Sequence, residues 1–270
     1  MGSCGGLVEA LNTRVYGNGT DTLILSHGYG SDQTVWHLIL PCLAFYFKVV
    51  VFDLVISPDV KPQLYNPNKY NSSFDAHAHD MICILDHLKV TNTIYLGHSM
   101  SAMVGCVAAA KRPDLFRHLI ILSGSPRYLN AKHYEGGFNR SQVNTIFHNI
   151  QQNFPLWVHN FASQAMIVNN SKAIAKFECS LGRMNPEIAL TAAKAVFLSD
   201  FRRILARVRV PSTIIQSKED IIVPDSVAFY IKKRLGEDAR VEILKTQGHF
   251  PHLTAHRLLL HVLKRVLRIN

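Results

Sequence analysis

Residues 93–101 read Thr-Ile-Tyr-Leu-Gly-His-Ser-Met-Ser, an apolar run that ends in small residues around a serine. The run predicts a buried strand, and the helical pattern from Met100 onward predicts a sharp turn from strand into helix. This turn resembles the G-x-S-x-G nucleophile elbow, with Ser101 in the place of the last glycine. A serine before a helix is more often only an N-cap. The strand and the small neighbours Gly97 and Ser101 nevertheless favour Ser99 as a nucleophile.

A serine nucleophile needs a histidine as its base and an acid that orients the histidine. In folds with a nucleophile elbow of this type, both residues follow the serine in the chain. Residues 212–216 predict a late strand, and the loop after it carries Glu219 and Asp220. An aspartate in a loop is by default a turn former. We favour Asp220 as the acid because an aspartate before a short apolar run and a proline is the common form of this loop. Glu219 is the alternative.

The histidine is expected on a loop after the final strand, which residues 241–244 predict. His249 lies on that loop, and Gly248 before it leaves the backbone free to turn. His252 and His256 lie nearby but fall toward the closing helix. Position and chain order therefore favour His249 as the general base.

Attack on a carbonyl also needs two backbone N–H groups directed at the oxygen that becomes negative. The residue after the nucleophile, Met100, supplies one of them in an elbow of this type. The second should come from the loop after an early strand, where the sequence reads His27-Gly28-Tyr29-Gly30. An ordinary glycine turn is the alternative reading of that loop. Its place in the chain favours Tyr29 as the second oxyanion donor.

The order of elements predicts the fold class. Short apolar runs predict strands at 22–25, 48–52, 93–96, 119–122, 212–216 and 241–244, and helical patterns separate them at 33–45, 74–88, 100–111, 225–235 and 256–267. This alternation indicates a mostly parallel, doubly wound sheet. Between residues 122 and 212 it gives way to four helical patterns, at 140–153, 154–163, 171–181 and 186–198, the last with Asn185 as N-cap and Pro186 at its first position. We therefore predict an α/β-hydrolase fold, with core residues 1–126 and 200–270 and a four-helix lid at 127–199.

Composition excludes several classes of protein. The chain has 270 residues, of which 48% are hydrophobic and 18% charged, as in a globular protein with a real core. No apolar run is long enough to span a bilayer, and no secretory signal pattern begins the chain. His77 and His79 lie on a predicted helix face, so neither a metal nor a cofactor is expected.

The net charge and the cysteines indicate which binding partners and which cell compartment to expect. The formal net charge is +10, but the basic residues alternate with apolar ones instead of forming blocks, so we expect solvated helix faces and no nucleic-acid site. The five cysteines are odd in number and have no C-x-x-C spacing. This indicates reduced thiols in an intracellular protein rather than a disulfide scaffold. We expect a monomer that does not bind membranes.

Together these motifs resemble the plant strigolactone-receptor and karrikin-receptor α/β-hydrolases. The stretches that carry the resemblance are Ser-His-Gly-Tyr-Gly-Ser-Asp-Gln-Thr-Val-Trp (26–36), Gly-His-Ser-Met-Ser-Ala-Met-Val-Gly (97–105), Ser-Pro-Arg-Tyr-Leu-Asn (125–130), Gly-Gly-Phe (136–138), Phe-Leu-Ser-Asp (197–200) and Gly-His-Phe-Pro (248–251). The resemblance covers nearly the whole chain. Phe-Asp-Leu-Val (52–55) and Tyr-Leu-Gly-His-Ser-Met (95–100) are most similar to a third branch, the "dwarf-fourteen-like two" proteins.

The resemblance implies a V-shaped lid over a mostly apolar pocket, and slow attack of the serine on small butenolide lactones. It also implies that an F-box protein and repressor proteins read the ligand state, and that the protein lies in the cytoplasm and nucleus. Matching positions give the expected pocket residues, which are Tyr29, Tyr128, Phe138, Trp157, Phe161, Phe197 and Phe250.

Several positions depart from the receptor pattern. The loop at 55–62 lacks the usual small residues, and Leu-Gly-Arg-Met at 181–184 replaces Leu-Phe-Asn-Met. Tyr29 replaces a phenylalanine and Phe250 a leucine, so a hydroxyl and added bulk are expected beside the catalytic centre. We therefore expect an altered response to lactones. The functions that remain open are a slow lactone hydrolase, a receptor whose output is the lid shape, a scaffold that has lost its ligand, and an ordinary carboxylesterase.

Overall fold

A computed structural model describes residues 4–71 and 73–269, and a seven-stranded sheet forms its centre. The strands lie in the order β1-β3-β2-β4-β5-β6-β7, and all neighbours are parallel except β1, which runs antiparallel to β3. Their bounds are Arg14–Tyr16 (β1), Thr22–Ser26 (β2), Lys48–Phe52 (β3), Thr93–His98 (β4), Phe116–Leu122 (β5), Ser212–Glu219 (β6) and Ala239–Gln247 (β7).

All six predicted strands are present, and the α/β-hydrolase fold prediction is confirmed. The central strands β2 and β4 are buried along their whole length, as expected for parallel strands that are covered on both faces. The edge strand β1 was not predicted. Its three residues are all exposed, so its sequence carries neither an apolar run nor an alternation that would mark a strand.

Twelve α-helices surround the sheet in the described residues. They are Cys4–Ala10 (α1), Leu40–Tyr46 (α2), Pro67–Tyr70 (α3), Asp75–His87 (α4), Met100–Lys111 (α5), Arg140–Gln152 (α6), Phe154–Met166 (α7), Ser171–Gly182 (α8), Pro186–Phe197 (α9), Asp225–Leu235 (α10), Pro251–Thr254 (α11) and His256–Leu267 (α12). Short 3₁₀ helices lie at Gln33–Trp36, Pro62–Leu64, Pro113–Leu115 and Leu205–Arg207.

The predicted helix at 33–45 is wrong as a single element. It consists of the 3₁₀ helix Gln33–Trp36 and the separate helix α2. Pro41 sits in the first turn of α2, where its missing N–H costs nothing, whereas in the interior of one continuous helix it would remove a hydrogen bond. A second helix therefore begins at Leu40.

The lid consists of α6 to α9, which follow β5 and precede β6 in the chain. Helix α6 packs on α9 and α7 packs on α8, so two helix pairs form the insertion. Each of the four helices begins after an asparagine whose side chain accepts a hydrogen bond from a first-turn N–H, and these caps are Asn139, Asn153, Asn170 and Asn185. The N-cap predicted at Asn185 is thus confirmed.

The expectation that all five cysteines are reduced is wrong, because Cys4 and Cys83 form a disulfide. The two residues are 79 positions apart in the chain, and the packing of α1 on α4 brings their Cα atoms to 5.3 Å. The spacing of the cysteines in the sequence does not indicate that these two residues lie close together.

None of the helices in the described part of the chain has the length and apolar character that a bilayer crossing requires.

Candidate active site

Ser99 stands at the turn between β4 and α5, as the sequence predicted. Its backbone angles are φ 56° and ψ −122°, a conformation that non-glycine residues rarely adopt and that costs on the order of 1–3 kcal/mol. The surrounding packing holds it there: the Ser99 amide donates to the Leu122 carbonyl at 2.9 Å. A Cβ added to Gly97 would lie 2.5 Å from the Ser101 carbonyl oxygen. Strand and helix therefore meet too closely for a larger residue at position 97.

The His249 ring lies between Ser99 and Asp220. His249 Nε2 is 2.9 Å from Ser99 Oγ, and His249 Nδ1 is 2.7 Å from Asp220 Oδ2. Because a carboxylate can only accept, Nδ1 carries the proton and Nε2 is free to accept the hydroxyl proton of Ser99. All three side chains are buried. The structure thus brings together the three residues that the sequence selected.

Asp220 is held on both of its oxygens. Oδ1 accepts the amides of Ile222 at 2.8 Å and Val223 at 3.1 Å, and Oδ2 accepts from Gln216 Nε2 at 3.2 Å in addition to the His249 bond. The alternative acid, Glu219, is exposed and accepts a hydrogen bond from Gln247 Nε2 at 2.7 Å. The geometry therefore favours Asp220 over Glu219.

The backbone of His249 is also fixed from two directions. Its N–H donates to the carbonyl of Ala165 at the end of lid helix α7, at 2.8 Å, and its own carbonyl accepts from His98 Nε2 at 2.8 Å. Gly248 has φ +91°, and a Cβ there would lie 2.2 Å from the Met166 carbonyl oxygen. The lid and the strand before the nucleophile together set the position of the histidine.

Two further histidines lie behind His249 and are neutral. Burial lowers the pKa of His98 well below its usual value, and burial lowers the pKa of His252 to about 3, in each case with a smaller contribution from neighbouring histidines. The His252 ring lies 4.7 Å from that of Trp36 and 4.6 Å from that of His98, between centroids, and neither of its nitrogens has a protein partner in the described residues. Sequence reasoning assigned no role to His98.

The predicted oxyanion loop passes directly beside Ser99. A Cβ added to Gly28 would lie 3.0 Å from Ser99 Cβ. His27 holds the loop: its Nδ1 lies 2.9 Å from the Gly28 carbonyl oxygen, and its Nε2 accepts the Leu54 amide at 3.0 Å. In the described residues, the amides of Tyr29 and Met100 donate to no protein acceptor, so both can serve a ligand.

The Tyr29 side chain contacts the lid. Its hydroxyl donates to the carbonyl of Ala189 in α9 at 2.9 Å. The sequence predicted a hydroxyl at this position but not its partner, which lies 160 residues away. Burial raises the pKa of Tyr29, so the phenol remains a donor. The oxyanion loop is thereby tied to helix α9.

A small cavity, which we call the catalytic chamber, lies over Ser99. Its volume is about 20 Å³, roughly the room that one water molecule needs. The chamber is lined by Tyr29, Ser99, Tyr128, Phe161, Phe177, Val196, Phe197, Ile222, His249 and Phe250. Five of these were predicted as pocket residues, namely Tyr29, Tyr128, Phe161, Phe197 and Phe250.

Two predicted pocket residues, Phe138 and Trp157, line a separate groove of about 450 Å³ outside the chamber. Phe177, Val196 and Ile222 line the chamber and were not predicted. The ring of Phe177 lies 4.3 Å from that of Phe250, between centroids. No local pattern marks Phe177, because it reaches the site only through the docking of α8.

Tyr128 adds a polar group inside the chamber. Its hydroxyl lies 3.4 Å from Ser99 Oγ. Burial raises the pKa of Tyr128, so it is a neutral hydrogen-bond donor beside the nucleophile. No group of three or more His, Cys, Asp or Glu side chains in the described residues is arranged to hold a metal ion.

The chain is similar in sequence and in structure to known hydrolases. The profile of the α/β hydrolase fold matches residues 21–255. A strigolactone esterase of Arabidopsis thaliana is 42% identical over 97% of both chains, and a karrikin insensitive 2 receptor of Petunia hybrida is 39% identical over 95% of both. Among solved structures, a hydrolase from Oleispira antarctica superimposes with a TM-score of 0.94, at 28% identity over 100% of this chain and 98% of its own.

Proposed function

The chain belongs to the α/β-hydrolase family and, within it, to the group of strigolactone esterases and karrikin receptors, and on that basis we propose that it hydrolyses small esters and butenolide-type lactones with Ser99 as nucleophile. The observation that carries the proposal is the unbroken chain of hydrogen bonds from Ser99 through His249 to Asp220. Placement in the third branch of the group stays a prediction.

In the first step, His249 Nε2 removes the proton of Ser99 as Oγ attacks the carbonyl carbon. The negative charge that forms on the carbonyl oxygen is stabilised by the amides of Tyr29 and Met100. Asp220 stabilises the imidazolium and, through the Nδ1 hydrogen bond, holds the tautomer that leaves Nε2 free to accept. Collapse of the intermediate breaks the ester C–O bond, and His249 returns the proton to the leaving oxygen.

In the second step, His249 removes a proton from a water molecule that attacks the acyl carbon. Collapse of this intermediate breaks the bond to Ser99 Oγ, which takes the proton back from His249, and the acid is released. The chamber volume of about 20 Å³ fits roughly one water molecule beside the serine. A lactone needs more room than this, so rings such as Phe177 and Phe250 must shift for it to bind. Because that shift precedes chemistry, we expect slow turnover.

The relatives supply the substrate class. Those with high identity are named as strigolactone esterases and karrikin insensitive receptors. A role in signalling, with an F-box protein and repressor proteins as partners in the cytoplasm and nucleus, is the second candidate. The lid favours it, because α7 and α9 bond directly to the histidine loop and the oxyanion loop, so ligand state at Ser99 can alter lid shape.

The test is turnover of 4-nitrophenyl acetate and of a fluorogenic butenolide by wild type and by Ser99→Ala. Alanine fits the elbow, so the variant should keep the wild-type melting temperature while its rate falls by about 10⁴-fold or more. A variant that still turns over near the wild-type rate would remove Ser99 as the nucleophile. A lactone-dependent shift in melting temperature, measured on both proteins, separates binding from hydrolysis.

A further inference from the structure

The disulfide between Cys4 and Cys83 attaches a helix that buries little surface of its own. The structure describes all seven residues of α1, and no side chain among them is fully buried, although Leu7 and Val8 pack partly against the core. Two of the seven residues are glycines, which disfavour a helix relative to alanine, and a helix this short is marginal without tertiary contacts. The attachment of α1 to α4 therefore depends largely on the disulfide.

One half of the disulfide is accessible to solvent. Cys83 is buried in α4, whereas Cys4 on α1 is only half-buried. A dithiol can therefore attack Cys4 Sγ and break the S–S bond, and Cys83 leaves as a thiolate that takes up a proton. The second thiol of the reductant then displaces Cys4, so that both cysteines end as thiols and the reductant ends as a disulfide.

The turn that follows α1 holds two loops of the core. The Leu11 carbonyl accepts the Asp53 amide at 2.8 Å. Asn12 Nδ2 donates to Asp53 Oδ2 at 2.9 Å and to the Asp59 carbonyl oxygen at 3.0 Å, and the Asn12 carbonyl accepts from Gln33 Nε2 at 2.9 Å. Asn12 thus connects the loop after β3 to the 3₁₀ helix that follows the oxyanion loop. We call these bonds the Asn12 bridge.

The loop after β3 also carries the anchor of lid helix α8. Arg183, directly after α8, pairs with the Asp59 carboxylate at 2.6 Å and with the Asp32 carboxylate at 3.0 Å. Helix α8 in turn places Phe177 in the lining of the catalytic chamber. A continuous series of contacts therefore runs from the disulfide through Asn12 to a ring beside the nucleophile.

We propose that the Cys4–Cys83 disulfide is a redox switch of the lid. When it is oxidised, it holds α1 and the Asn12 bridge in place; when it is reduced, both are released and α8 is held less firmly over the catalytic chamber. The inference rests on the proposed function, since it concerns access to the same site. In the cytoplasm and nucleus, the compartments proposed above, the disulfides that form are usually transient or redox-sensing.

The test compares wild type and Cys4→Ser, each with and without dithiothreitol. In reduced wild type we expect faster hydrogen exchange in α1 and α8. The melting temperature should fall by about 5–10 °C, because the unfolded chain loses a long closed loop. The value of kcat/KM for a fluorogenic butenolide should rise by about three- to tenfold, because the lid opens more readily.

The serine variant should match reduced wild type and should not respond to dithiothreitol. Cys42→Ser is the matched control, because Cys42 is also half-buried but is a free thiol. Its response to dithiothreitol should equal that of wild type.

Asn12→Gly tests the bridge while the disulfide is intact. Asn12 has φ 51°, which glycine adopts without strain, so the variant removes the side-chain bonds and keeps the turn. In the oxidised protein it should raise α8 exchange and butenolide kcat/KM toward the values of reduced wild type. Asn92→Gly is the matched control and should change neither, because Asn92 is exposed, has φ 54° and bonds through its amide to Asp114 instead.

Equal α8 exchange in oxidised and reduced wild type would overturn the proposal, as would a response to dithiothreitol that Cys4→Ser shares. Faster exchange confined to α1, with an unchanged butenolide kcat/KM, would also overturn it, because the disulfide would then only stabilise the fold. Faster α8 exchange in a protein that turns over neither the butenolide nor 4-nitrophenyl acetate would support the switch and contradict the hydrolase proposal instead.

Discussion

The loops at the carboxyl ends of the sheet and the lid above them are held by different kinds of contact. In the loops, Ser99, His249 and Asp220 satisfy one another with short hydrogen bonds between buried side chains. The lid instead closes the site with aromatic rings, chiefly Phe177 against Phe250. The three hydrogen-bonded residues therefore all lie in the loops, while the lid controls what reaches them.

The lid is also fastened to the core where the sequence departs from the receptor pattern. Arg183, in the altered stretch 181–184, pairs with Asp59 at 2.6 Å in the altered loop 55–62 and with Asp32 at 3.0 Å. Burial would raise the pKa of Asp32, but hydrogen bonds from Thr34 and Ser180 and the charge of Lys176 lower it overall. Two departures that look independent in the sequence therefore meet in one ion-pair cluster that anchors α8.

The largest effect should come from a change in the hydrogen-bonded chain of the loops. Asp220→Asn keeps the shape of the side chain but removes the charge that stabilises the imidazolium and fixes its tautomer, and we expect a loss of about 10⁴-fold in kcat. Glu219→Gln is the control, and it should change the rate less than about twofold because Glu219 is exposed. Steady-state kinetics on 4-nitrophenyl acetate measure both, and the reverse ranking would make Glu219 the acid.

Acid should lower the free energy of unfolding, because the buried histidines around the catalytic loops are neutral in the folded protein. Burial lowers the pKa of His252 to about 3, whereas an unfolded histidine titrates near 6.5. Between these values the unfolded chain binds more protons, so stability is full above pH 6.5 and falls as the pH decreases. For one such histidine, the free energy of unfolding falls by up to about 1.4 kcal/mol for each unit that the pH decreases.

The variant His252→Phe keeps a ring against Trp36 and should flatten this dependence between pH 7 and pH 5. Urea unfolding at the two pH values measures the slope. His261→Gln, at an exposed position, should leave the slope unchanged, and an equal slope in wild type and His252→Phe would contradict the assignment of His252 as a neutral buried group.

A smaller effect should come from loosening the ring contact between loop and lid. Phe250→Leu removes part of the ring that packs on Phe177 and enlarges the chamber, so kcat/KM for a fluorogenic butenolide should rise by roughly tenfold. The same variant should lose stability through the smaller apolar contact. A butenolide rate that stays the same or falls would show that Phe250 does not limit access.

The smallest effect should come from the hydrogen bond between the oxyanion loop and α9. Tyr29→Phe removes only the hydroxyl that donates to Ala189, and a single buried hydrogen bond contributes about 0.5–1.5 kcal/mol. We expect a small decrease in melting temperature and a change in butenolide KM of several-fold, with the 4-nitrophenyl acetate kcat nearly unchanged because the Tyr29 amide remains. Thermal melts and paired kinetics measure this, and a large loss of kcat would mean that the hydroxyl acts in catalysis.

The fold class, the elbow and the three residues of the hydrogen-bonded chain could be predicted from local patterns in the sequence. The periodicities of strands and helices predict the fold class. The small residues beside Ser99 and the order of serine, aspartate and histidine along the chain predict the elbow and its partners. The ends of the elements and the strand β1 were harder to predict, because the residues of β1 are exposed and give no apolar signal.

The contacts between the lid and the loops could not be predicted and are seen only in the folded structure. The pairs Cys4 with Cys83, Tyr29 with Ala189, Arg183 with Asp59 and Phe177 with Phe250 lie 73 or more residues apart in the chain. Such contacts depend on how helices pack after they form, and no local periodicity encodes which side chains then face each other. The hydrogen-bonded residues could therefore be predicted from the sequence, whereas the size and lining of the chamber could not.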